Sequence, residues 1–542
     1  MKPQVHLLAN AHLDPFWLWE WPEGLAQALA LARSAVGLCE ELEGFVFNRG
    51  EAQFYEWVEE YDPPLFARIR AQVAAGRWHI MGGWFVQCDC NMPAGESIAR
   101  QIERGRAYFA DRFGVRPTTA VNLDPFGHSR GLVQLLVRAG YDAYLFCRPG
   151  REAGGFPAPE FRWIGYDGSA VTALLAEPHY TSARGGAAAM VEEWLEGRGV
   201  GDLHLIPWGV GDHGGGPSRD DFRALEALAA GRPGLDFIHS TPERWAGAVR
   251  ERQPDLPAWK GDLNPFAVGC YTSQVRVKQA HRRLENRLFR AEKTAAAAWL
   301  AGRLPWPAES FERAERDLLL SQFHDGLPGS SVPSVEEHLL RRLGRGLEIL
   351  AEIEVKALHA LAREEAPPAP GESTLFVYNP HPHPVETLLE WELQREWPNE
   401  EGPPLGAEVR GAAGVLPVQL EKAEMNIAED NRKRLVFPAR LPPGRLSRFD
   451  ARLGPGLGGK GEKAAGGEGP LPAAVDPATG RLARWTCGGT ELLAPGGCRF
   501  AVMADDEDPW GMRVTGFRER VGEFGAEKKS VGVRLGKREG AG

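Results

Sequence analysis

The chain has 542 residues, 43% of them hydrophobic, so more than one folded core is expected and wholesale disorder is excluded. A formal net charge of -10 argues against nucleic acid or an anionic membrane surface as the main partner. No apolar run is long enough to cross a bilayer.

Up to about residue 260, short apolar runs alternate with amphipathic segments. "QVHLLAN", "GFVFN", "WHIMGG", "TTAVNL", "DAYLFC", "AVTALLA", "LHLIPW" and "DFIHS" read as strands. "EGLAQALALARSAVGLCEEL" and "GESIARQIERGRAYFADRF" read as helices between them. That alternation predicts an α/β fold with a mainly parallel sheet, open or closed into a barrel. From about Ser273 to Glu365 the strand signals stop. "QVRVKQAHRRLENRLFRAEKTAAAAWLAGRL" and "ESFERAERDLLLSQF" predict two helices. A third starts near Val335, with Leu339, Leu343, Leu347, Leu350 and Leu361 near helical spacing and Ser334 with Glu337 as a capping box. Three consecutive helices with short connections predict a small bundle. "EEAPPAPGES" is a linker by composition, and "LGPGLGGKGEKAAGGEGP" a flexible loop. Between and beyond them, "TLFVYNP", "LLEWEL", "RLVFPARL" and "RFAVM" predict an all-β region. The expected domains are 1–262, 263–366 and 367–542, the last an incomplete β-sandwich region.

Seven cysteines stand dispersed at 39, 88, 90, 147, 270, 487 and 498, which suits neither a disulfide framework nor a paired-cysteine zinc site. The N-terminus "MKPQVHLLANAHLD" lacks the apolar core of a signal peptide, so a cytoplasmic protein is expected. Some of the seventeen tryptophans are expected to offer flat faces to a sugar, and most to fill cores.

Three strand-like runs lead into acids: His12 and Asp14 after "VHLLAN", Asp124 after "TTAVNL", and Asp212 after "LHLIPWGVG". In parallel α/β folds, ligands bind beyond the carboxyl ends of the strands, where side chains distant in sequence converge. Each acid also has a plainer reading. His12 and Asp14 make a loop hydrogen-bonding pair. Asp124 before a proline suits a turn or a helix cap. Asp212 in "GDHGGGP" serves a glycine-rich turn. His324 and Asp325 in "SQFHDGLPGSS" are charges at a helix end. Together, mixed histidine and aspartate ligands suit zinc.

"AHLDPFWLW", "GGWFVQCDCNMPAGESIARQ", "NLDPFGHS", "GVGDHGGGP", "GCYTSQ" and "SQFHDGLPGSS" occur in the order that resembles glycoside hydrolase family 38, the retaining, metal-dependent α-mannosidases. "VYNP", "VDPATGRLARW" and "DDEDPWG" continue the likeness more weakly. The resemblance implies a seven-stranded β/α barrel, a three-helix bundle and a large β region. It implies His12, Asp14, Asp124 and His324 as ligands of a divalent metal, zinc first, with cobalt or another divalent ion accepted by so oxygen-rich a site. It implies Asp124 as nucleophile and Asp212 as acid/base, Trp17 and Phe126 beside the sugar, and Asp89 and Tyr271 on its hydroxyls. Trp19 and Trp21 are expected to pack. Two departures stand out: Cys88 where many relatives have proline, and Asp262 where glutamate is usual. The expected partner is a mannoside or a mannosylated small molecule, and relatives of this kind often self-associate. The rival expectations are a metal-dependent carbohydrate deacetylase on a related barrel and an inactive carbohydrate-binding protein.

Overall fold

The computed structural model describes residues 2–198, 203–394, 405–423, 432–457, 473–476, 479, 481–494, 497–505, 508–512 and 517–524. The chain forms two compact units: Met1–Leu288 with Glu312–Ile349 and Glu507–Thr515, and Phe289–Phe311 with Leu350–Asp506 and Gly516–Gly542.

In the first unit every run read as a strand contributes one. These are β1 (Gln4–Asn10), β2 (Phe47–Arg49), β3 (Trp78–Ile80), β4 (Thr119–Asn122) and β5 (Ala143–Phe146), then β7 (Ala170–Leu175), β8 (Leu203–Trp208) and β9 (Asp236–His239). The sequence reading missed β6 (Glu160–Ile164) and the two-residue β10 (Ala258–Trp259). β6 runs antiparallel to β7, with Phe161 and Trp163 buried between outward Glu160, Arg162 and Ile164. Such short half-polar strands carry a weak signal.

One sheet has the order β3-β2-β1-β8, with β9 also on β1, and all of these pairings are parallel. The other has the order β10-β6-β7-β5-β4, parallel through β4, β5 and β7. Leu8, Val121, Leu145, Leu174 and Leu205, drawn from both sheets, share one core with Trp245 and Val249. From Val5 onward β1 is buried throughout, as expected of a parallel strand covered on both faces. Among the described residues no ladder joins β3 to β4 or β7 to β8. Among the described residues the hydrogen bonding thus defines two sheets.

The helix Gly95–Phe113 ends where Gly114 turns left-handed, with φ at 69°, a conformation glycine adopts without a Cβ penalty. Three helices follow the strands: Val275–Leu300, Ala308–Ser321 and Pro333–Ala362. Arg342 holds the buried Asp317 of the second helix at 3.0 Å, and Arg345 holds it as well. The third helix begins at Pro333, so Ser334 already lies inside its first turn and the expected capping box does not start it. Proline suits that first position because its missing N–H has no partner there anyway.

In the second unit, Ser373–Tyr378, Leu446–Pro455, Leu405–Gly411 and Gly414–Leu416 form an antiparallel sheet in that order. Val385–Gln394, Arg432–Leu441 and Gln419–Lys422 form a second antiparallel sheet. Val409 and Phe449 of the first sheet meet Leu435 and Phe437 of the second in one core, which makes a sandwich. Most of the glycine-rich loop read at 453–470 lies outside the described residues.

Candidate metal and carboxylate site

His12 and Asp14 leave β1, Asp124 leaves β4 and Asp212 leaves β8, all at carboxyl ends of parallel strands. His324 enters from the turn after Ala308–Ser321. The two copies of "LDPF" converge. Asp14 Oδ1 and Asp124 Oδ2 each lie 3.5 Å from His324 Nε2. Phe16 packs on Phe323, while Phe126 faces the His324 ring edge-on.

His12, Asp14, Asp124 and His324 place one ligand atom each within 4.8 Å of one another, and all four residues are buried. His12 Nε2 lies 2.7 Å from Asp14 Oδ1 and 3.4 Å from Asp124 Oδ2. Yet His12 Nε2, Asp14 Oδ1 and His324 Nε2 are buried without a hydrogen-bond partner. Buried polar atoms that converge unbonded are costly unless something charged joins them. Two imidazoles and two carboxylates at this spacing fit a divalent cation such as zinc. The histidines register the same field. Burial alone pushes His12 down, but Asp14 and Asp124 overcome it and raise it to about 10. Against the pull of burial, Arg148, His12 and His324 hold Asp124 well below the ordinary carboxylate range.

Arg148, after β5, pairs with Asp124 Oδ1 at 2.8 Å. Its other nitrogen donates to Tyr180 Oη at 3.4 Å, and Tyr180 Oη donates to Asp212 Oδ1 at 3.3 Å. One chain of polar contacts thus runs from Asp124 to Asp212. A second link is through the backbone, where Asp14 N–H donates to the Asp212 carbonyl at 2.9 Å. Asp212 itself is half-buried, with φ at 64°, a left-handed conformation tolerated by aspartate better than by most residues. Just before it, a Cβ on Gly209 would stand 2.1 Å from the Asn10 carbonyl, so only glycine lets this loop close on β1.

Trp17 is half-buried. Phe126 is buried beneath Trp510, whose ring is 5.6 Å away, and beside Phe266. Trp510 also meets Trp17 edge-on at 6.3 Å. Trp19 does more than pack, since its indole N–H donates to the Asp14 carbonyl at 3.0 Å and its ring lies 4.2 Å from that of His213. Asp89, expected on a sugar hydroxyl, sits against Tyr271. It is fully buried, and its oxygens accept from Tyr271 Oη at 2.8 Å and Met92 N at 2.8 Å. Burial raises Asp89 to about 6 against those two donors. Tyr271 reaches the Phe126 carbonyl as well, so Asp89 aims the tyrosine. Asp262 accepts the Arg130 N–H at 2.7 Å and steadies the turn after Asp124, while Cys88 is wholly buried.

Arg148, Tyr180, Gln87 and Trp510 carried no role in the sequence reading. Arg148 and Tyr180 follow strands, as His12, Asp14 and Asp124 do. Asking which polar residue ends each strand would have found Arg148 in "FCRPG".

A parallel α/β unit with a buried two-histidine, two-aspartate set beside a further carboxylate has the make-up of a site that could hold a metal ion. Residues 2–262 match the glycosyl hydrolases family 38 N-terminal domain, and 266–361 match the alpha mannosidase middle domain. The chain belongs to glycoside hydrolase family 38. It is 28% identical over 346 residues to Alpha-mannosidase G of Dictyostelium discoideum, covering 63% of this chain and 32% of that protein. Alpha-mannosidase 2C1 of Mus musculus is 29% identical over 339 residues, covering 61% and 32%. The chain therefore spans about a third of the length of these curated relatives. The solved structure of an alpha-mannosidase from Enterococcus faecalis superposes with a TM-score of 0.70 at 19% identity, covering 89% of this chain and 59% of that one, and so shares the fold.

Proposed function

We propose that the chain is a retaining α-mannosidase that hydrolyses terminal α-mannosides with a divalent metal, zinc first, held by His12, Asp14, Asp124 and His324. The observation that carries this reading is the convergence of those four buried ligands with Asp212, bridged by Arg148 and Tyr180. The family domains and the curated α-mannosidase relatives support it. We read the two sheets of the first unit as walls of one barrel, supported by their shared core, with domains at 1–262, 263–366 and 367–542. Among the described residues no helix is long and apolar enough to cross a membrane, and the location we propose is cytoplasmic.

A cation held by these four residues would supply a positive charge for neighbouring sugar hydroxyls and favour a distorted ring. The protein does the rest. Arg148 keeps Asp124 ionised and aims Oδ1, so that Asp124 attacks the anomeric carbon and forms a covalent mannosyl-enzyme ester. Asp212 gives a proton to the leaving oxygen, then takes one from the water that hydrolyses the ester. Tyr180 holds Asp212 by donating to Oδ1 and so leaves Oδ2 to carry the proton. Trp17 and Trp510 form the aromatic wall, with Phe126 behind them, and Tyr271 reaches toward a hydroxyl from its seat on Asp89.

The test is hydrolysis of an aryl α-mannoside, with metal content measured on the same sample, for wild type, Asp124→Ala and chelator-treated protein. Release by metal-loaded wild type alone supports the reading. Release that survives chelation or Asp124→Ala contradicts it.

A further inference from the structure

Gln87 lies between β3 and the helix Gly95–Phe113, is 3% exposed, and touches all three segments that supply metal ligands. Its backbone carbonyl accepts from His324 Nδ1 at 2.7 Å and from the His324 N–H at 3.3 Å. Its side-chain Oε1 accepts the Leu123 N–H at 2.8 Å, next to Asp124. Its Nε2 stands 3.4 Å from His12 Nδ1. Behind it, the Gln87 N–H donates to Glu51 Oε1 at 3.2 Å. Glu51 is buried, has φ at 66°, and pairs with buried Arg49 at 2.5 Å. Arg49 donates in turn to the Ala11 carbonyl at 2.7 Å, one residue before His12. A left-handed glutamate in a buried ion pair is strain that persists only where its surroundings demand it.

The two histidines are served differently. The Gln87 carbonyl fixes the proton of His324 on Nδ1 and leaves Nε2 bare for a cation. His12 also turns Nε2 toward the ligand cluster, so it too must carry its proton on Nδ1 to ligate. The Leu123 N–H needs an acceptor and cannot turn away. It claims Oε1, and the amide then offers its NH2 to His12 Nδ1. With Nδ1 protonated, two donors face each other across that 3.4 Å contact. A carboxylate at position 87 would present an oxygen to both.

We propose that Gln87 is a positioning residue for the metal site, tying the three ligand segments together while holding His12 in a mismatched contact, so that the site binds its divalent cation less tightly than its four ligands allow. This rests on the reading of His12, Asp14, Asp124 and His324 as metal ligands, and it makes the cation readily exchangeable.

The experiment titrates the metal-free full chain with cobalt, followed by its visible absorption, and with zinc against a competing chelator, for wild type, Gln87→Glu and Gln87→Leu. The carbonyl contact to His324 survives both changes, so only the side chain is tested. Gln87→Glu is expected to tighten binding about tenfold, and Gln87→Leu to weaken it about tenfold or more. Selective 15N labelling of histidine in the zinc-loaded protein separates hydrogen bonding from added charge. The His12 Nδ1–H proton should move downfield in Gln87→Glu. Affinity unchanged or lowered in Gln87→Glu overturns the proposal, and so does tighter binding with an unmoved His12 signal. If Gln87→Leu fails to fold, Gln87→Glu alone decides. Wild type that takes up no cobalt removes the metal reading itself, and the proposal falls with it.

Discussion

The two ends of the candidate site are built on opposite principles. The metal end is buried, and its ligands are held from several sides: His324 by Gln87, Asp14 by Trp19, and Asp124 by Arg148 and, through the Leu123 N–H before it, by Gln87. The acid end rests on a glycine-rich loop, with Asp212 half-buried and tied by Tyr180 and one backbone bond. His213, next in the chain, lies exposed against Glu23 at 2.6 Å. The difference suits the chemistry. A cation site loses affinity when its ligands wander, whereas a group that gives and retrieves a proton needs access to water and leaving group.

That contrast predicts where substitutions act. Asp124→Asn removes both a ligand and the nucleophile, and kcat should fall on the order of 10^4-fold or more, as for other nucleophile losses. His324→Ala strikes the metal alone, and cobalt titration should show a loss exceeding the about 100-fold ceiling of an outer contact. Added metal at millimolar concentration should restore part of its activity, which it cannot do for Asp124→Asn.

Proton competition sharpens the same comparison. With His12 raised to about 10 and His324 also raised in the metal-free protein, both imidazoles are charged at neutral pH. Each must lose its proton to ligate, so metal affinity should rise with pH, and binding at neutral pH should release about two protons per cation. Calorimetry in buffers of different ionisation enthalpy counts them; release of none would break the assignment of both histidines.

The acid end should yield smaller effects. Tyr180→Phe loses the bond to Asp212 and the long one from Arg148, together about 1 kcal/mol, or about fivefold in kcat/KM, with metal affinity unchanged. The loss should be greatest for poor leaving groups, which depend most on Asp212. His213→Ala breaks an exposed pair with Glu23 and a ring contact with Trp19, and should change kcat/KM by about twofold at most. A large loss of metal affinity in either variant would contradict the division into two ends.

The sequence revealed the metal end more fully than the acid end's supports. His12, Asp14 and Asp124 follow apolar runs whose strand character is plain, and parallel sheets bring strand ends together. Asp212 was found by the same rule. Arg148 and Tyr180 also follow strands, but each is one polar residue in a loop without period or spacing. Their roles exist only once Asp124 and Asp212 have converged. Gln87 was quoted within a motif and passed over, because an uncharged amide announces no chemistry until its three partners are in place. Asp89 shows the converse. A lone acid in a site motif reads as a ligand for hydroxyls, and its complete burial under Tyr271 becomes visible only in the packed structure.

The central claim is that Asp124, although held by the metal site, is the nucleophile. It is tested most directly by incubating the metal-loaded chain with a 2-deoxy-2-fluoro-mannosyl reagent bearing a good leaving group, then digesting and sequencing by mass spectrometry. One fluoromannosyl adduct on Asp124, absent from Asp124→Asn, is the predicted result. An adduct on Asp212 would contradict the account, as would turnover of an unmodified mannoside by a chain that never forms a covalent species.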